Sequence, residues 1–367
     1  TLRQSKRRMA GFLAMVELSR AYPLNRTTLS LTDFAHPAVQ AAFTSALAPY
    51  QASGNLPEDT GLFVVAMGKT VAGEQIYPPH IDLIVMFDDR KMDHLEASHL
   101  RQILVRATRT ATKLLNDVTQ HGYVFRTDLR LRPDPSVTPI CVSMSSALEY
   151  YESLGRTWER AAFIKARICA GDQEAGAAFL EQMVPFVWRR HLDFAAIEEA
   201  HALRLKIRTK TGARGQITVP GHDVKLGRGG IREIEFFTQT RQLISGGRDP
   251  GLRSSQTLAA LDQLVAKEWV TSAINNQLQR SYTVLRHTEH AIQMIRDAQT
   301  QSVPQSEEGL ARVAGLCGQT SEAFLNDISA HLNAVHSITE TFFAPAQRTV
   351  PEVALEGHHD ITQHWPS

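Results

Sequence analysis

The sequence predicts an α+β protein in which N-terminal helices precede a small mixed sheet and a large helical region follows it. Two apolar segments, 62–67 and 81–87, have the length and composition of buried strands. From Ser146 onward, apolar residues recur at helical spacing through most of the chain. The predicted organisation comprises N-terminal helices at 1–55, a sheet domain at 56–145, a helical domain at 146–345 and a polar linker or tail at 346–367.

The elements around the two strands are bounded by residues that interrupt regular structure. Pro23 ends the first helical run, Gly122 ends a crossover helix, and Pro133 stops the strand that follows this helix. The predicted elements are a helix at 5–20, a helix at 38–47, the crossover helix at 98–119 and a third strand at 123–131.

The region after Ser146 is predicted to fold as a succession of helices separated by short polar segments. Residues 212–222 interrupt this succession with an alternating pattern that favours a hairpin or a flap. The predicted helices are 148–154, 157–168, 173–187, 194–209, 231–245, 255–267, 273–298, 306–316 and 321–343.

The charge and cysteine content exclude several classes of protein. The 39 Lys and Arg residues nearly balance the 38 Asp and Glu residues, so the charge predicts neither nucleic-acid binding nor an anionic membrane partner. Three widely spaced cysteines predict a reducing, cytoplasmic location rather than a disulfide framework or a zinc site. No apolar run reaches the roughly 18 residues of a membrane span, and no signal peptide is expected. The missing initiator Met leads us to expect a fragment of a longer protein.

The second and third strands together predict a site for a divalent cation. His80 and Asp82 are two residues apart, so their side chains point to the same face of the strand, about 6.6 Å apart along it. Asp128 is the single acid on a strand face that otherwise carries arginines. Carboxylate oxygens are the ligands that Mg²⁺ prefers, and an acid among arginines stays ionised. The alternative for Asp128 is an ordinary ion pair on a solvated face.

Groups suited to contact phosphate flank these acids. Gly68 and Lys69 form a glycine turn directly after the first strand, although a Gly-Lys pair is also common in ordinary turns. Arg126, Arg130 and Arg132 share the predicted face of the third strand and are suited to bidentate contacts with phosphate oxygens. The order of strand, glycine turn, His-x-Asp strand, helix and Asp strand is more specific than any single part. It predicts metal-assisted nucleotidyl transfer.

Four longer motifs resemble those of a known family. They are FRTDLRLRP at 125–133, WERAAFIKAR at 158–167, KLGRGGIREIEF at 225–236 and LRHTEHAIQ at 285–293. On these motifs, in this order, the chain resembles the bacterial glutamine synthetase adenylyltransferase/adenylyl-removing enzymes over residues 1–345. The resemblance implies a nucleotidyltransferase domain of the DNA polymerase β type and one of two catalytic halves. The leading helices and residues 188–194 are more similar to the N-terminal, adenylyl-removing half.

The resemblance implies a reaction and a role for each candidate residue. Inorganic phosphate attacks the adenylyl group on a tyrosine of glutamine synthetase, which releases ADP and the unmodified synthetase. Asp82 and Asp128 would bind Mg²⁺, and both would be catalytic together with Lys69. Gly68, Lys69 and the arginines of the third strand would contact phosphates. The implied partners are adenylylated glutamine synthetase, the PII signalling protein, ADP or ATP, and phosphate.

The loop between the first two strands departs from the family pattern. His80 stands where the family has a metal-binding aspartate, and Pro78 and Pro79 replace two serines, which removes hydroxyl and backbone N–H donors. Neutral imidazole is a poor ligand for Mg²⁺ and a better one for Mn²⁺, so we expect impaired activity with Mg²⁺. Two alternatives stay open: a catalytically degenerate regulatory or docking module of the same protein, and the adenylyltransferase half.

Two further motifs have competing interpretations. Residues 225–230 form a glycine turn before a helix whose N-terminus could bind an anion, but a role in fixing how the helix enters the core is favoured. Glu233 and Glu235, just after this turn, are expected to form buried ion pairs. Glu289 and His290 lie on an otherwise apolar helix, and we predict that they are buried polar groups rather than ligands.

Overall fold

The computed structural model describes residues 1–19, 21–73, 80–91, 97–190, 217–296 and 300–343. Pro78 and Pro79, the predicted helix at 194–209 and the predicted tail at 346–367 lie outside the described residues. Within the described ranges, the chain forms a five-stranded sheet with helices on both faces, and further helices follow the last strand.

The strands of the sheet are β1 (Leu62–Met67), β2 (His80–Phe87), β3 (Arg126–Asp128), β4 (Cys141–Ser143) and β5 (Ala166–Gly171). The sheet is mixed and has the order β3-β2-β1-β5, with β4 on the same edge of β2 as β3. β1 runs antiparallel to β2 and β5, whereas β3 and β4 run parallel to β2. Because β3 lies beside the start of β2 and β4 beside its end, one edge of the sheet is built from two short segments.

The helices begin where side chains satisfy the first backbone N–H groups. Ser143, Asp172 and Ser306 each accept a hydrogen bond from the first turn of the helix that follows. The α-helices of the described residues are α1 (Leu2–Leu18), α2 (Leu24–Ala52), α3 (Lys69–Ala72), α4 (Ala97–Asn116), α5 (Met144–Ser153), α6 (Thr157–Phe163), α7 (Gln173–Gln182), α8 (Val184–Val187), α9 (Ile231–Ser245), α10 (Thr257–Ala266), α11 (Ser272–Arg296), α12 (Glu307–Leu316) and α13 (Ser321–Phe343).

Alternating residues of β1 contribute to two separate hydrophobic clusters. Leu62 and Val64 pack with α2 and α4 on one face of the sheet. Phe63 and Val65 pack with α5 and α7 on the other face. Every residue of β1 is therefore buried, which explains why this strand is a continuous apolar run in the sequence.

A second hydrophobic core lies among α9 to α13. Ile234, Leu261, Leu285 and Phe324 are fully buried in it. Leu243, near the end of α9, belongs instead to the cluster that contains Phe63 and Val65 of β1. The helix α9 therefore packs against both cores and connects the sheet with the helices that follow it.

Several predictions about the sheet need correction. The third strand spans only Arg126–Asp128 rather than 123–131, because the chain turns directly after Asp128. The predicted helix at 157–168 ends at Phe163, and β5 follows it, because pairing with the open edge of β1 outweighs local helix propensity. The sheet therefore continues beyond residue 145, the predicted end of the sheet domain. The strand β4 was also not predicted.

The three cysteines are free thiols, and Cys141 of β4 and Cys169 of β5 are buried. Burial raises the pKa of both thiols to about 12. They therefore act as small apolar side chains rather than as nucleophiles. Among the helices of the described residues, none combines the length and apolar character that crossing a membrane requires.

Gly171, at the end of β5, provides a test of the sheet. Its φ is 81°, and a Cβ built on it would lie 2.2 Å from the carbonyl oxygen of Leu62. The substitution Gly171→Ala is expected to lower the free energy of unfolding by about 2–4 kcal/mol, because left-handed strain and a backbone clash add. The control Gly54→Ala has a φ of 71° and no atom within 4 Å, so strain alone should cost about 1–2 kcal/mol. Equal losses in urea denaturation would contradict the clash.

Candidate functional site

Asp82 of β2 and Asp128 of β3 are direct neighbours in the parallel register of the two strands. His80 Nε2 lies 3.4 Å from Asp82 Oδ1 and 3.9 Å from Asp128 Oδ2. One ligand atom from each of the three side chains lies within 4.8 Å of the other two. The side chains of His80 and Asp82 are 38% and 35% exposed, so the group opens to solvent. The structure thus brings together the three residues that the sequence predicts as a cation site.

The position of Asp128 depends on the end of α4. The Thr127 N–H donates to Asn116 Oδ1 at 2.7 Å, and Asn116 Nδ2 donates to Thr127 Oγ1 at 2.8 Å. Side chains alternate along a strand, so the side chain of Thr127 lies on the face opposite to Asp128. The contact with Asn116 therefore fixes β3 from that opposite face. The sequence gives no sign of the role of Asn116, because a contact between a helix end and a short edge strand leaves no local pattern.

Arg130 covers Asp128 in this structure. Its guanidinium donates to both carboxylate oxygens, and its backbone N–H donates to Oδ1 at 2.8 Å. Burial opposes ionisation of Asp128, but the Arg130 hydrogen bonds outweigh it and hold the pKa of this carboxyl below its usual value. The Arg130 side chain is 82% exposed, so it can exchange the carboxylate for a phosphate without crossing the interior.

The other two arginines of this segment have different surroundings. Arg126 is exposed, and its guanidinium carbon lies 5.2 Å from the centroid of the Tyr123 ring. Arg132 donates to carbonyl oxygens of the turn at 129–138 at 2.9–3.3 Å. The strand ends at Asp128, so the alternation that placed Arg132 on its face does not continue. The structure gives Arg132 the role of supporting this turn.

Gly68 brings the predicted phosphate turn against Asp82. Its φ is 67°, and a Cβ built on it would lie 3.7 Å from Asp82 Oδ2. Its N–H donates to the Lys165 carbonyl at 2.9 Å, so this donor is occupied. The Lys69 ammonium lies 2.8 Å from Glu289 Oε1 on α11. In the part of the chain that the structure describes, no hydrogen bond or ion pair joins Lys69 to the acids of β2 and β3.

A buried group of charges links this turn to α9 and α11. Arg286 donates to Glu235 at 2.8 Å and to Glu289 at 2.7 Å, and the Lys165 ammonium lies 3.4 Å from Glu235. We refer to Lys69, Lys165, Glu235, Arg286 and Glu289 as the ionic cluster. Burial raises the pKa of both carboxyls, but the surrounding cations outweigh it. They hold the pKa of Glu235 well below its usual range and lower that of Glu289 to about 2.

Glu289 and His290 are fully buried, as the sequence predicts, and so is most of Glu235. The contact between Glu289 and Lys69 joins residues 220 positions apart, and no local pattern predicts it. Burial lowers the pKa of Lys69 to about 7, although Glu289 opposes the shift. The predicted phosphate ligand is thus part of a buried charge network rather than an exposed loop residue.

Comparison with known proteins gives two family matches in sequence order. Residues 1–182 match the family model for glutamate-ammonia ligase adenylyltransferase. Residues 201–343 match the family model for GlnD PII-uridylyltransferase. The first match contains the whole sheet and the three residues of the candidate cation site.

Whole-chain relatives decide the family. The bifunctional glutamine synthetase adenylyltransferase/adenylyl-removing enzyme of Bradyrhizobium diazoefficiens is 46% identical over 351 residues, which is 93% of this chain. The enzyme of the same name from Mesorhizobium japonicum is 43% identical over 365 residues, or 96% of this chain. The chain belongs to this family. It is a family of nucleotidyltransferases.

The chain spans about a third of the length of these adenylyltransferase/adenylyl-removing enzymes. It covers 35% of the Bradyrhizobium diazoefficiens protein and 36% of the Mesorhizobium japonicum protein. The enzyme of the same name from Xanthobacter autotrophicus is 46% identical over 325 residues, and this chain covers 33% of its length.

The ionic cluster predicts a specific dependence of stability on pH. Replacing Glu289→Gln leaves Lys69 and Arg286 without this counter-charge and should cost about 3–5 kcal/mol of unfolding free energy at neutral pH. The pKa of Glu289 is about 2 in the fold. It is about 4.3 in the unfolded chain, so its contribution is complete above that value and lost as the pH falls toward 2.

Urea denaturation of wild type and Glu289→Gln at pH values from about 6 down to about 3 measures this dependence. The gap between the two proteins should narrow as the pH falls, because the unfolded state takes up the proton first. Glu181→Gln, an exposed position on α7, serves as the control and should change stability by less than about 0.5 kcal/mol. A gap that stays constant with pH would rule out an ionised Glu289 as the source.

Proposed function

We propose that this chain is the adenylyl-removing half of a bifunctional glutamine synthetase adenylyltransferase/adenylyl-removing enzyme. The observation that carries the proposal is the pairing of Asp82 with Asp128 beside His80, next to the turn at Gly68. The similarity of residues 201–343 to the PII-uridylyltransferase family fits the removing half. In the proposed reaction, a phosphate oxygen attacks the adenylyl phosphorus, the bond to the tyrosine oxygen breaks, and ADP leaves.

The site has the ligands for a divalent cation in Asp82, Asp128 and His80. This mixture of oxygen and nitrogen ligands suits Mn²⁺ better than Mg²⁺. The separations of 3.4 and 3.9 Å are close to the roughly 3–3.5 Å expected between ligands that share one ion at about 2.1 Å. A nitrogen ligand favours Mn²⁺ or another transition ion, whereas Mg²⁺ prefers oxygen. Such an ion would neutralise charge that develops on the phosphoryl oxygens.

The side chains around the acids prepare a place for a phosphoryl group. Asp128 is held ionised by Arg130, which would move to a phosphate oxygen once a cation replaces it. Arg126 is exposed on the same segment and would approach from solvent. Gly68 carries no side chain, which leaves room beside Asp82 for the adenylyl phosphate. These contacts position the phosphorus beside the acids and balance its charge.

The remaining assignments are proposals that rest on this function. We propose adenylylated glutamine synthetase as the substrate, PII signalling protein as a regulatory partner, and ADP, ATP and phosphate as small ligands. Glutamine synthetase is named in the relatives' own descriptions. We also propose a nucleotidyltransferase domain of the DNA polymerase β type, followed by a helical domain, and a cytoplasmic location.

A second candidate function is a regulatory or docking module that has lost its chemistry. Two observations favour it: His80 occupies a position beside Asp82 where a carboxylate would bind Mg²⁺ better, and Arg130 already neutralises Asp128. Such a module would keep its folded surface for glutamine synthetase or for PII without removing AMP. Metal binding and AMP removal by the purified chain separate the two candidates.

Asp82→Asn and Asp128→Asn are each expected to slow AMP removal from adenylylated glutamine synthetase by roughly 10²–10⁴-fold. Each loses a cation ligand worth several kcal/mol in the transition state, and about 1.4 kcal/mol is tenfold in rate. The assay contains phosphate and Mn²⁺ and measures released ADP. Asp117→Asn, an exposed acid paired with Lys113 at the end of α4, is the matched control and should retain full activity. Full activity in either site variant would refute the catalytic role of these acids.

The His80 substitution predicts the choice of metal. We expect the wild-type chain to bind Mn²⁺ at least tenfold more tightly than Mg²⁺, because imidazole replaces a hard oxygen ligand. The variant His80→Asp should narrow this gap and increase AMP removal with Mg²⁺, since it restores a carboxylate. Calorimetric titration of each metal into both proteins measures the affinities. Equal preference in wild type and variant would mean that His80 does not contact the ion.

A further inference from the structure

Lys225 is a half-buried lysine whose ammonium makes no hydrogen bond or ion pair within the described ranges. The backbone that carries it is fixed, since its N–H donates to Asp223 Oδ1 at 2.8 Å and its carbonyl accepts from the Arg232 N–H at 2.9 Å. At Gly229 the loop passes so close to α13 that a Cβ would lie 2.0 Å from the Leu332 carbonyl oxygen. A rigid loop thus presents a cation for which the described residues supply no acceptor.

Lys225 lies beside the ionic cluster. It is close enough to Glu289 to contribute to the lowered pKa of this carboxyl, and close enough to Lys69 to oppose protonation of its amine. Lys69 directly follows Gly68, and a Cβ built on Gly68 would lie against Asp82. Both lysines therefore act on Glu289, and Lys69 belongs to the turn that lies against Asp82.

Among the residues that the structure describes, basic side chains outnumber carboxylates in this region. With Lys225 included, the ionic cluster contains four basic side chains and two carboxylates. Arg232 adds another cation at the rim, 3.8 Å from Glu235. Burial lowers the pKa of Lys225 by more than Glu289 raises it. Because unpaired charge away from water is costly, the region is suited to a bound anion.

We propose that Lys225 and Lys69 bind inorganic phosphate, the oxyanion that attacks the adenylyl group. The assignment rests on the proposed function, and it adds a binding residue that lies far from the acids in sequence. Phosphate carries a charge of about −1.5 to −2 near pH 7, so it would compensate these basic side chains and favour their protonated forms. Lys69 donates to Glu289 through one N–H and has two more donors, whereas Lys225 has all three.

The step balances without any further reactant. One oxygen of monohydrogen phosphate forms a bond to the adenylyl phosphorus, and the bond from that phosphorus to the tyrosine oxygen breaks. The phosphate proton ends on the tyrosine oxygen, and the two joined phosphates leave as ADP. Lys225 acts by holding the attacking phosphate, so its loss should raise KM for phosphate more than it lowers kcat.

Calorimetric titration of inorganic phosphate into the chain, without metal or glutamine synthetase, tests the site. Lys225→Gln should weaken phosphate binding at least tenfold, Lys225→Arg should retain most of it, and Lys267→Gln, a half-exposed lysine paired with Asp249, should change nothing. Lys225→Gln removes an unpaired half-buried charge, so in phosphate-free buffer it should melt no lower than wild type. Unfolding of Lys225→Gln is therefore not expected to account for a loss of phosphate binding.

Unchanged phosphate binding in Lys225→Gln would overturn the proposal. Titration with ADP separates the two sources of phosphate groups: loss of ADP binding with phosphate binding intact would also overturn it, in favour of a nucleotide contact. Asp82→Asn should bind phosphate normally while losing AMP removal, which keeps the two proposals apart. If the chain binds phosphate through Lys225 but never removes AMP, the proposed function fails and the phosphate site stands.

Discussion

The parallel pairing of β3 with β2 is the constraint on which the candidate site depends. A shift of one residue would turn Asp128 to the opposite face and place an uncharged neighbour beside Asp82. β3 pairs with β2 over only three residues, and so short a pairing does little to fix the register. The double contact between Asn116 and Thr127 supplies the missing specificity, because it engages both the backbone and the side chain of the strand. The end of α4 therefore determines where the second acid lies.

The ionic cluster extends this dependence to the helices after the sheet. It attaches the turn after β1 and the start of β5 to α9 and α11 through charges that are almost entirely buried. Charges in such a place persist only when they are paired, so sheet and helices must fold in one relative position. In the phosphate site that we propose, Lys69 would belong both to this structural network and to the binding site.

The sequence predicted those features that local patterns encode. Apolar runs identified β1 and β2, and the spacing of His80 and Asp82 with the acid on the next strand identified three side chains that the fold brings together. Contacts between distant segments were missed, above all Lys69 with Glu289 and Asn116 with β3. The predicted helix at 157–168 extends into the start of β5, because the pairing of β5 with β1 is a tertiary effect that propensity does not contain. The sequence does not reveal that the motif starting at Lys225 lies near the ionic cluster, because the residues of this cluster are distant in sequence.

We propose that two acids and an imidazole share one cation. Anomalous diffraction from crystals soaked in Mn²⁺ tests this proposal most directly. We expect a single strong peak about 2.0–2.3 Å from carboxylate oxygens of Asp82 and Asp128 and from His80 Nε2, with Arg130 displaced from Asp128. A peak that contacts none of these three side chains, or an Arg130 that still covers Asp128 at saturating metal, would contradict it.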